Sequence, residues 1–246
     1  MAESVKLKRP AVLSKHGQAT LRRLLRAWFD FERRVARVPI VQRLDRGTFT
    51  RDDYLRLLLN LRPQVVEGSR WISRCASSFD RDHADVRSVI IGHAHDEHRD
   101  FEVLESDYVA CGGDLAAIRA RRRNPGSEAL HGFLMHRASE PNPVGMLGAM
   151  WIIEGLGEKM AREWADRIDA LTGVGAGATR FLRYHGTNDD SHMNALYGLL
   201  DRLCSGGATA GEAAGEAAGE EIVLVATVVG KLYALQLEEI DDAAAA

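Results

Sequence analysis

The chain has 246 residues, of which 46% are hydrophobic and 27% are charged. This is the composition of an ordinary globular protein, and it excludes a disordered, collagen-like or membrane-embedded chain. With 32 basic and 35 acidic residues, the formal net charge is -3. No global positive field therefore attracts nucleic acid or anionic lipid, and we expect neither nucleic acid nor a membrane as a partner.

The three cysteines, Cys75, Cys111 and Cys204, are far apart and form no C-x-x-C pair. A zinc knuckle and a dithiol redox motif are therefore excluded, and we expect buried thiols. The first residues lack the apolar stretch of a secretory signal, and the longest apolar run, 222–230, is roughly half of the ~20 residues that span a bilayer. We accordingly expect a cytoplasmic protein in reducing conditions.

Hydrophobic periodicity predicts an all-α fold, a single compact bundle of about seven helices. The first helix is predicted over 18–38 before Pro39, and the second begins near Thr50, whose hydroxyl can cap it. Further helices are predicted over 83–111, 127–138, 142–171, 177–204 and 220–240. Residues 222–229 alternatively form a strand, but the apolar residues that follow recur at three- and four-residue steps, which favours a helix.

We expect one domain over 1–246, in which 1–17 is an N-terminal extension. Residues 205–219 read SGGATAGEAAGEAAG, a small-residue, low-complexity segment that predicts a flexible loop inside the bundle.

The segment 183–194, RYHGTNDDSHMN, carries candidate metal ligands. Residues at i, i+4 and i+7 share a helix face, so His185, Asp189 and His192 point the same way. Burying two imidazoles and a carboxylate together is costly unless a divalent metal compensates them. Nitrogen and oxygen donors of this kind suit iron, manganese or zinc. Alternatively, one histidine caps a neighbouring helix and Asp189 pairs with an arginine.

Two other helices offer carboxylates. Glu154 lies in the middle of the apolar stripe of 146–157, where an unpartnered charge would be expensive to bury, so it binds a metal or an arginine. In the segment 91–101, His93, Glu97 and Asp100 share one face, whereas His95 and His98 point elsewhere. A solvated polar helix face would also collect such residues. Glu67 is a weaker extra carboxylate.

These motifs resemble a known family, the haem-oxygenase-like non-haem diiron oxidases and oxygenases, whose fold is shared with thiaminase-like and pyrroloquinoline-quinone-synthase proteins. The likeness rests on the H-x-x-x-D-x-x-H pattern of His185, Asp189 and His192, on Glu154 in L-G-x-x-x-x-x-E-G, and on the closing helix with 231–233. The resemblance implies a haem-oxygenase-like fold and two Fe(II) ions per chain with O2 as co-substrate. The implied substrate is a small molecule, free or carrier-bound, such as an amino acid, amine or fatty acid. Relatives commonly associate, so we also expect a homodimer.

The sequence departs from the family pattern in the helix of Glu97. There the resemblance implies a histidine where this chain has Asp100, with Glu97 as a bridging or terminal carboxylate and His93 supplying the missing nitrogen. Two irons in an altered ligand set, one metal, or a lost second site are all consistent with this departure.

Other activities have weaker support. A haem oxygenase needs an axial histidine on its first helix, and His16 precedes the predicted helix. A basic patch at Arg119, Arg121, Arg122 and Arg123 is either an anion-steering surface or a solvated helix end. Tyr108 and Tyr184 are candidate pocket residues. A cofactor-free oxidase that uses the same histidines as acids and bases, or a metal-binding protein without turnover, remain alternatives.

Overall fold

The computed structural model describes residues 12–205 and 207–242, except for the side chains of 188–191 and 207–210. This described part forms twelve α-helices and no strand. The helices are α1 Lys15–Val35, α2 Pro39–Asp45, α3 Arg51–Val65, α4 Gly68–Ser78, α5 Ala84–Glu97, α6 Asp100–Ala110, α7 Leu115–Ala120, α8 Pro125–Ala138, α9 Met146–Leu156, α10 Arg162–Thr172, α11 Arg180–Cys204 and α12 Gly207–Glu238. The predicted all-α bundle is confirmed.

The helix count exceeds the predicted seven because two long segments break and because α2, α4 and α7 were not predicted as separate helices. The segment 83–111 splits into α5 and α6 at a turn over His98 and Arg99, so Asp100 is the first residue of a new helix. The segment 142–171 splits into α9 and α10, which are joined by a π-helical turn at Gly157–Ala161. Single π-helical turns occur frequently at functional sites, and this one begins three residues after Glu154.

The prediction of a flexible loop over 205–219 is wrong. The chain is helical from Gly207, with one non-helical residue at Gly211, and the helix then continues to Glu238. Alanine has the highest helix propensity, and it outweighs the scattered glycines of this segment. Gly219 also has a packing reason, since a Cβ there would collide with the Thr20 hydroxyl of α1.

Helix α9 lies at the centre of the bundle. All of its residues except Ile153 are buried, and it packs against α12, α11, α8 and α1. A Cβ at Gly148 would overlap the Ile222 carbonyl oxygen and lie 2.8 Å from the Ala226 nitrogen. The close approach of α9 and α12 therefore requires glycine at this position.

Helix ends follow the local chemistry. The Thr50 hydroxyl accepts the Asp53 backbone N–H, which confirms the predicted cap of α3, and the Asp53 side chain accepts the Thr50 N–H in return. Helix α1 begins at Lys15, so His16 lies in its first turn rather than before it, 3.9 Å from Glu212.

The three cysteines are buried free thiols, as predicted. Within the described ranges, no helix combines the length and the apolarity that a bilayer crossing requires.

We predict that Gly148→Ala destabilises the protein by about 1–3 kcal/mol, because an added methyl group overpacks the α9–α12 contact. Gly132→Ala is the matched control, since Gly132 lies on an exposed part of α8 where a Cβ would meet open space. This control should gain about 0.5–1 kcal/mol from reduced backbone entropy. Urea unfolding measures both values, and a Gly148→Ala variant as stable as the wild type would contradict the packing argument.

Candidate metal centre

Helix α11 carries two of the candidate ligands, and a buried carboxylate fixes its start. Asp107 of α6 is fully buried, and it accepts the Phe181 backbone N–H at 2.7 Å and the Arg180 Nε–H at 3.1 Å. The first bond satisfies the Phe181 N–H, one of the N-terminal donors of α11 that have no partner within the helix. One turn further along, His185 points into the bundle with its ring edge-on to the Phe181 ring, 4.7 Å between centroids.

Glu154 of α9 lies between two imidazoles. Its Oε1 is 2.8 Å from His93 Nε2, its Oε2 is 3.2 Å from His192 Nδ1, and its side chain is 6% exposed. Burial alone would raise the pKa of this carboxyl, but His93 and His192 overcome that effect and hold the pKa below its usual range. The His93 and His192 rings are 4.4 Å apart. Three groups from α5, α9 and α11 therefore meet in one buried contact.

Glu97, at the end of α5, lies next to this contact. Its Oε1 is 3.7 Å from His192 Nδ1, a distance at which the two groups attract without a hydrogen bond. Burial and then the charge of Glu154 raise the pKa of Glu97 to about 8. The carboxyl therefore holds a proton at neutral pH unless another positive charge replaces it.

Asp100, at the start of α6, lies beside His185. Its Oδ2 is 3.5 Å from His185 Nε2, is fully enclosed, and has no hydrogen-bond partner. Burial raises the pKa of this carboxyl. A buried carboxylate oxygen without a partner is rare in proteins and is typical of a place that binds an ion or a water molecule.

These six side chains form what we call the cluster, made of His93, Glu97, Asp100, Glu154, His185 and His192. Ligand atoms of one group, His93, Glu97, Glu154 and His192, all lie within 4.8 Å of one another, and so do those of Glu97, Asp100 and His185. Because Glu97 belongs to both groups, the cluster has the connectivity of a dinuclear centre with a shared carboxylate. Its imidazole and carboxylate donors, and the orphaned Asp100 oxygen, fit iron, manganese or zinc.

The structure thus brings together six of the seven predicted ligands. The seventh, Asp189, lies on α11, but its side chain is outside the described residues. In the described part of the chain, no arginine pairs with Glu154, which contradicts the alternative of a buried salt bridge at that position. His95 points to solvent, as predicted, with 80% of its side chain exposed.

The weaker candidates are not members of the cluster, although the Tyr184 ring is edge-on to the His185 ring, with 5.5 Å between centroids. Glu67 pairs with Arg70 and Arg123 instead. The predicted basic patch is partly neutralised, because Arg119 binds the buried carboxylate of Glu105. Tyr108 and Tyr184 are not among the described residues that line the cavity presented below.

Sequence reasoning missed one carboxylate near the cluster. Asp96 Oδ2 lies 3.5 Å from His192 Nε2, on the side of the ring opposite Glu154. A carboxylate in this position orients the imidazole and strengthens it as a ligand. The adjacent Glu97 points into the cluster. Which of these two neighbouring acids faces inward depends on the orientation of α5, which the sequence does not give directly.

An apolar cavity of about 90 Å³ adjoins the cluster. Seven of the described helices contribute to its wall, and three cluster members, Glu97, Glu154 and His185, are part of it. The remainder of the wall is mainly aliphatic and aromatic, and includes Trp71, Ile153, Leu156, Trp164, Phe181 and Tyr233. A mainly apolar space beside a few polar groups is the usual form of a small-molecule site.

Neither a protein-family model nor a curated protein matches this sequence. Solved structures do resemble it. A domain of unknown function with a heme oxygenase-like fold from Shewanella denitrificans aligns with a TM-score of 0.79 at 16% identity, and the alignment covers 91% of each chain. The chain has a haem-oxygenase-like fold.

Two TenA homologues have the same architecture. The one from Pseudomonas syringae pv. tomato aligns with a TM-score of 0.71 at 15% identity, over 96% of this chain and 98% of that one. The one from P. horikoshii aligns with a TM-score of 0.64 at 14% identity, over 90% and 97%. At this level of identity the likeness concerns the fold, which confirms the fold that the sequence motifs implied.

Metal-free protein should lose stability as the pH rises from about 5 to 8. The pKa of Glu97 is about 8 in the folded state and about 4.3 in the unfolded state. The stability that protonated Glu97 contributes is therefore fully present below about pH 4.3 and is lost as the pH rises to about 8. Charges that act on Glu97 come from Glu154, His185, Asp100 and His192. We expect the free energy of unfolding, measured by urea titration with chelator present, to fall by at least about 1.4 kcal/mol, the equivalent of one pKa unit.

Glu97→Gln should flatten this pH dependence, because the amide carries no charge to bury. Glu163→Gln is the control, since Glu163 is 68% exposed on α10 and should leave the wild-type slope unchanged. A Glu97→Gln variant that keeps the full slope would show that Glu97 is not its source.

Proposed function

We propose that this protein is a non-haem diiron oxidase or oxygenase that activates O2 and oxidises a small molecule in the apolar cavity. The observation that carries the proposal is the sharing of Glu97 between two donor groups, one with His93, Glu154 and His192 and the other with Asp100 and His185. Helical bundles build dinuclear carboxylate centres in this way, with ligands from facing helices.

The donor sets suggest how two metal ions would be held. His93, Glu154 and His192 would bind one ion, Asp100 and His185 the other, and Glu97 both. Ferrous ions bound there would supply the electrons that reduce O2 and the oxidising power that acts on the substrate. This chain has Asp100 where the family has a histidine. Both donor groups still contain an imidazole, because His93 and His192 belong to the first group and His185 to the second.

The protein's own residues perform the remaining tasks. Phe181 packs against the His185 ring and holds its orientation, while Asp96 lies against the outer nitrogen of His192. Trp71 and Ile153 give the wall next to Glu97 and Glu154 an apolar surface, which would hold the apolar part of a substrate beside the cluster. Glu97 is the group that holds a proton at neutral pH in the absence of metal, so metal binding must displace that proton.

A thiaminase-like reaction, which the TenA-type neighbours suggest, has less support. It would need a reactive thiolate beside a carboxylate. Burial raises the pKa of Cys75, and it also raises the pKa of Cys111 and Cys204. The cavity wall contains none of these three thiols among the residues that the structure describes.

The test is iron stoichiometry after anaerobic Fe(II) loading, followed by absorbance spectra when O2 is admitted. We expect two irons per wild-type chain and a transient absorbance with O2. His192→Ala removes a nitrogen donor and should lower metal affinity about 10–100-fold or more, with loss of the O2 response. His131→Ala is the matched control, since this histidine of α8 lies outside the cluster.

Two results would contradict the proposal. No bound iron would favour a cofactor-free oxidase in which the same histidines transfer protons, and bound iron without O2 consumption would favour a metal-binding protein. Two irons retained in His192→Ala would remove His192 from the ligand set.

A further inference from the structure

The apolar cavity has an unusual distribution of charge. Its acidic and basic wall residues, Glu97, Glu154 and His185, all belong to the cluster, and the described wall contains no lysine or arginine. An ionic group on a ligand, if placed away from the cluster, would lose its water without gaining a counter-charge. The far part of the cavity therefore disfavours both carboxylates and ammonium groups.

Two uncharged polar side chains interrupt this apolar wall. Gln64 of α3 and Tyr233 of α12 both line the cavity, and each is only 6% exposed. Neither the Gln64 amide nor the Tyr233 hydroxyl makes a hydrogen bond to another described residue, and neither group is among the fully enclosed unpaired polar atoms, so both keep some accessible surface. Because these polar groups keep accessible surface and line the cavity, they can bind water or a polar group of a ligand there.

A second buried glutamine, Gln236, differs from Gln64 in its access to the cavity. Gln236 of α12 also lacks a side-chain partner, but its amide atoms are fully enclosed by protein and it does not line the cavity. The Gln64 amide keeps contact with the open space. A side-chain amide offers one acceptor and two donors, which pair well with another amide, a carbonyl or a hydroxyl.

The Tyr233 ring is held in place from the other side. It packs edge-on against Phe31 of α1, with 5.9 Å between ring centroids. Burial raises the pKa of Tyr233, so the hydroxyl stays protonated and remains a hydrogen-bond donor. Its direction is therefore fixed by packing before any ligand binds, which lowers the entropy cost of binding.

We propose that the apolar cavity takes an uncharged, mainly apolar molecule with one amide, carbonyl or hydroxyl group, which Gln64 and Tyr233 bind while the cluster faces its other end. This inference rests on the proposed function, in which the cavity holds the molecule to be oxidised. It selects against free amino acids and simple alkylamines as substrates. Gln64 is then the residue that sets specificity, and Trp71 and Trp164 contact the apolar body of the ligand.

The experiment uses hexanamide as the neutral probe and hexylamine, protonated at pH 7, as the charged one. Isothermal titration calorimetry on Fe(II)-loaded protein under argon should show hexanamide binding at least tenfold more tightly than hexylamine. Gln64→Leu should weaken hexanamide binding at least tenfold, and Tyr233→Phe about threefold or more. Gln236→Leu, the matched control, should stay within twofold of the wild type.

Gln64→Glu is a second variant that keeps the inference testable if Gln64→Leu fails to fold. It preserves the side-chain shape and adds a negative charge to the cavity, so it should reverse the preference and favour hexylamine. Equal hexanamide affinity in wild type and Gln64→Leu, or a wild-type preference for hexylamine, would overturn the inference.

Iron content measured on the same samples separates the two proposals. If the protein binds two irons per chain but hexanamide affinity is the same in wild type and Gln64→Leu, the inference is refuted and the proposed function stands. Gln64-dependent hexanamide binding in a protein that takes up no iron would do the reverse.

Discussion

The cost of burying several carboxylates at one point is the constraint on which this structure depends. Glu97, Asp100 and Glu154 come from three different helices and meet in the interior, where each charge loses its water. Two imidazoles stabilise the Glu154 carboxylate and offset part of that cost. The Asp100 Oδ2 atom has no hydrogen-bond partner, and Glu97 keeps its proton at neutral pH. An arrangement that is expensive without a cation and favourable with one is what a metal-binding protein requires.

The bundle serves this arrangement by bringing helices unusually close. Gly148 lets α9 touch the backbone of α12, which places Glu154 in the middle of the molecule. Asp107 ties the start of α11 to α6, so the helix that carries His185 is anchored one turn before its first ligand. The same helices leave an apolar space on the open side of the cluster. Cluster and cavity are therefore two results of one packing arrangement.

Much of this was predictable where a single helix carries the information. His185 and His192 lie on one unbroken helix, so their spacing alone indicates a common face. The prediction of a loop over 205–219 was wrong because it gave the glycines more weight than the helix propensity of the alanines. Asp100 begins a new helix, and no periodicity marks the break before it. Gln64 could not be found from the sequence, because its proposed role depends on a cavity whose wall comes from seven helices that are distant in sequence.

The most direct test of the proposed dinuclear centre is anomalous diffraction at the iron absorption edge from crystals loaded anaerobically with Fe(II). Two anomalous peaks about 3.5–4 Å apart, one on each side of the Glu97 carboxylate, are the predicted result. The first should lie among His93, Glu154 and His192, and the second beside Asp100. A single peak, or a cluster without iron in which Glu97 binds only protein groups, would contradict the dinuclear centre.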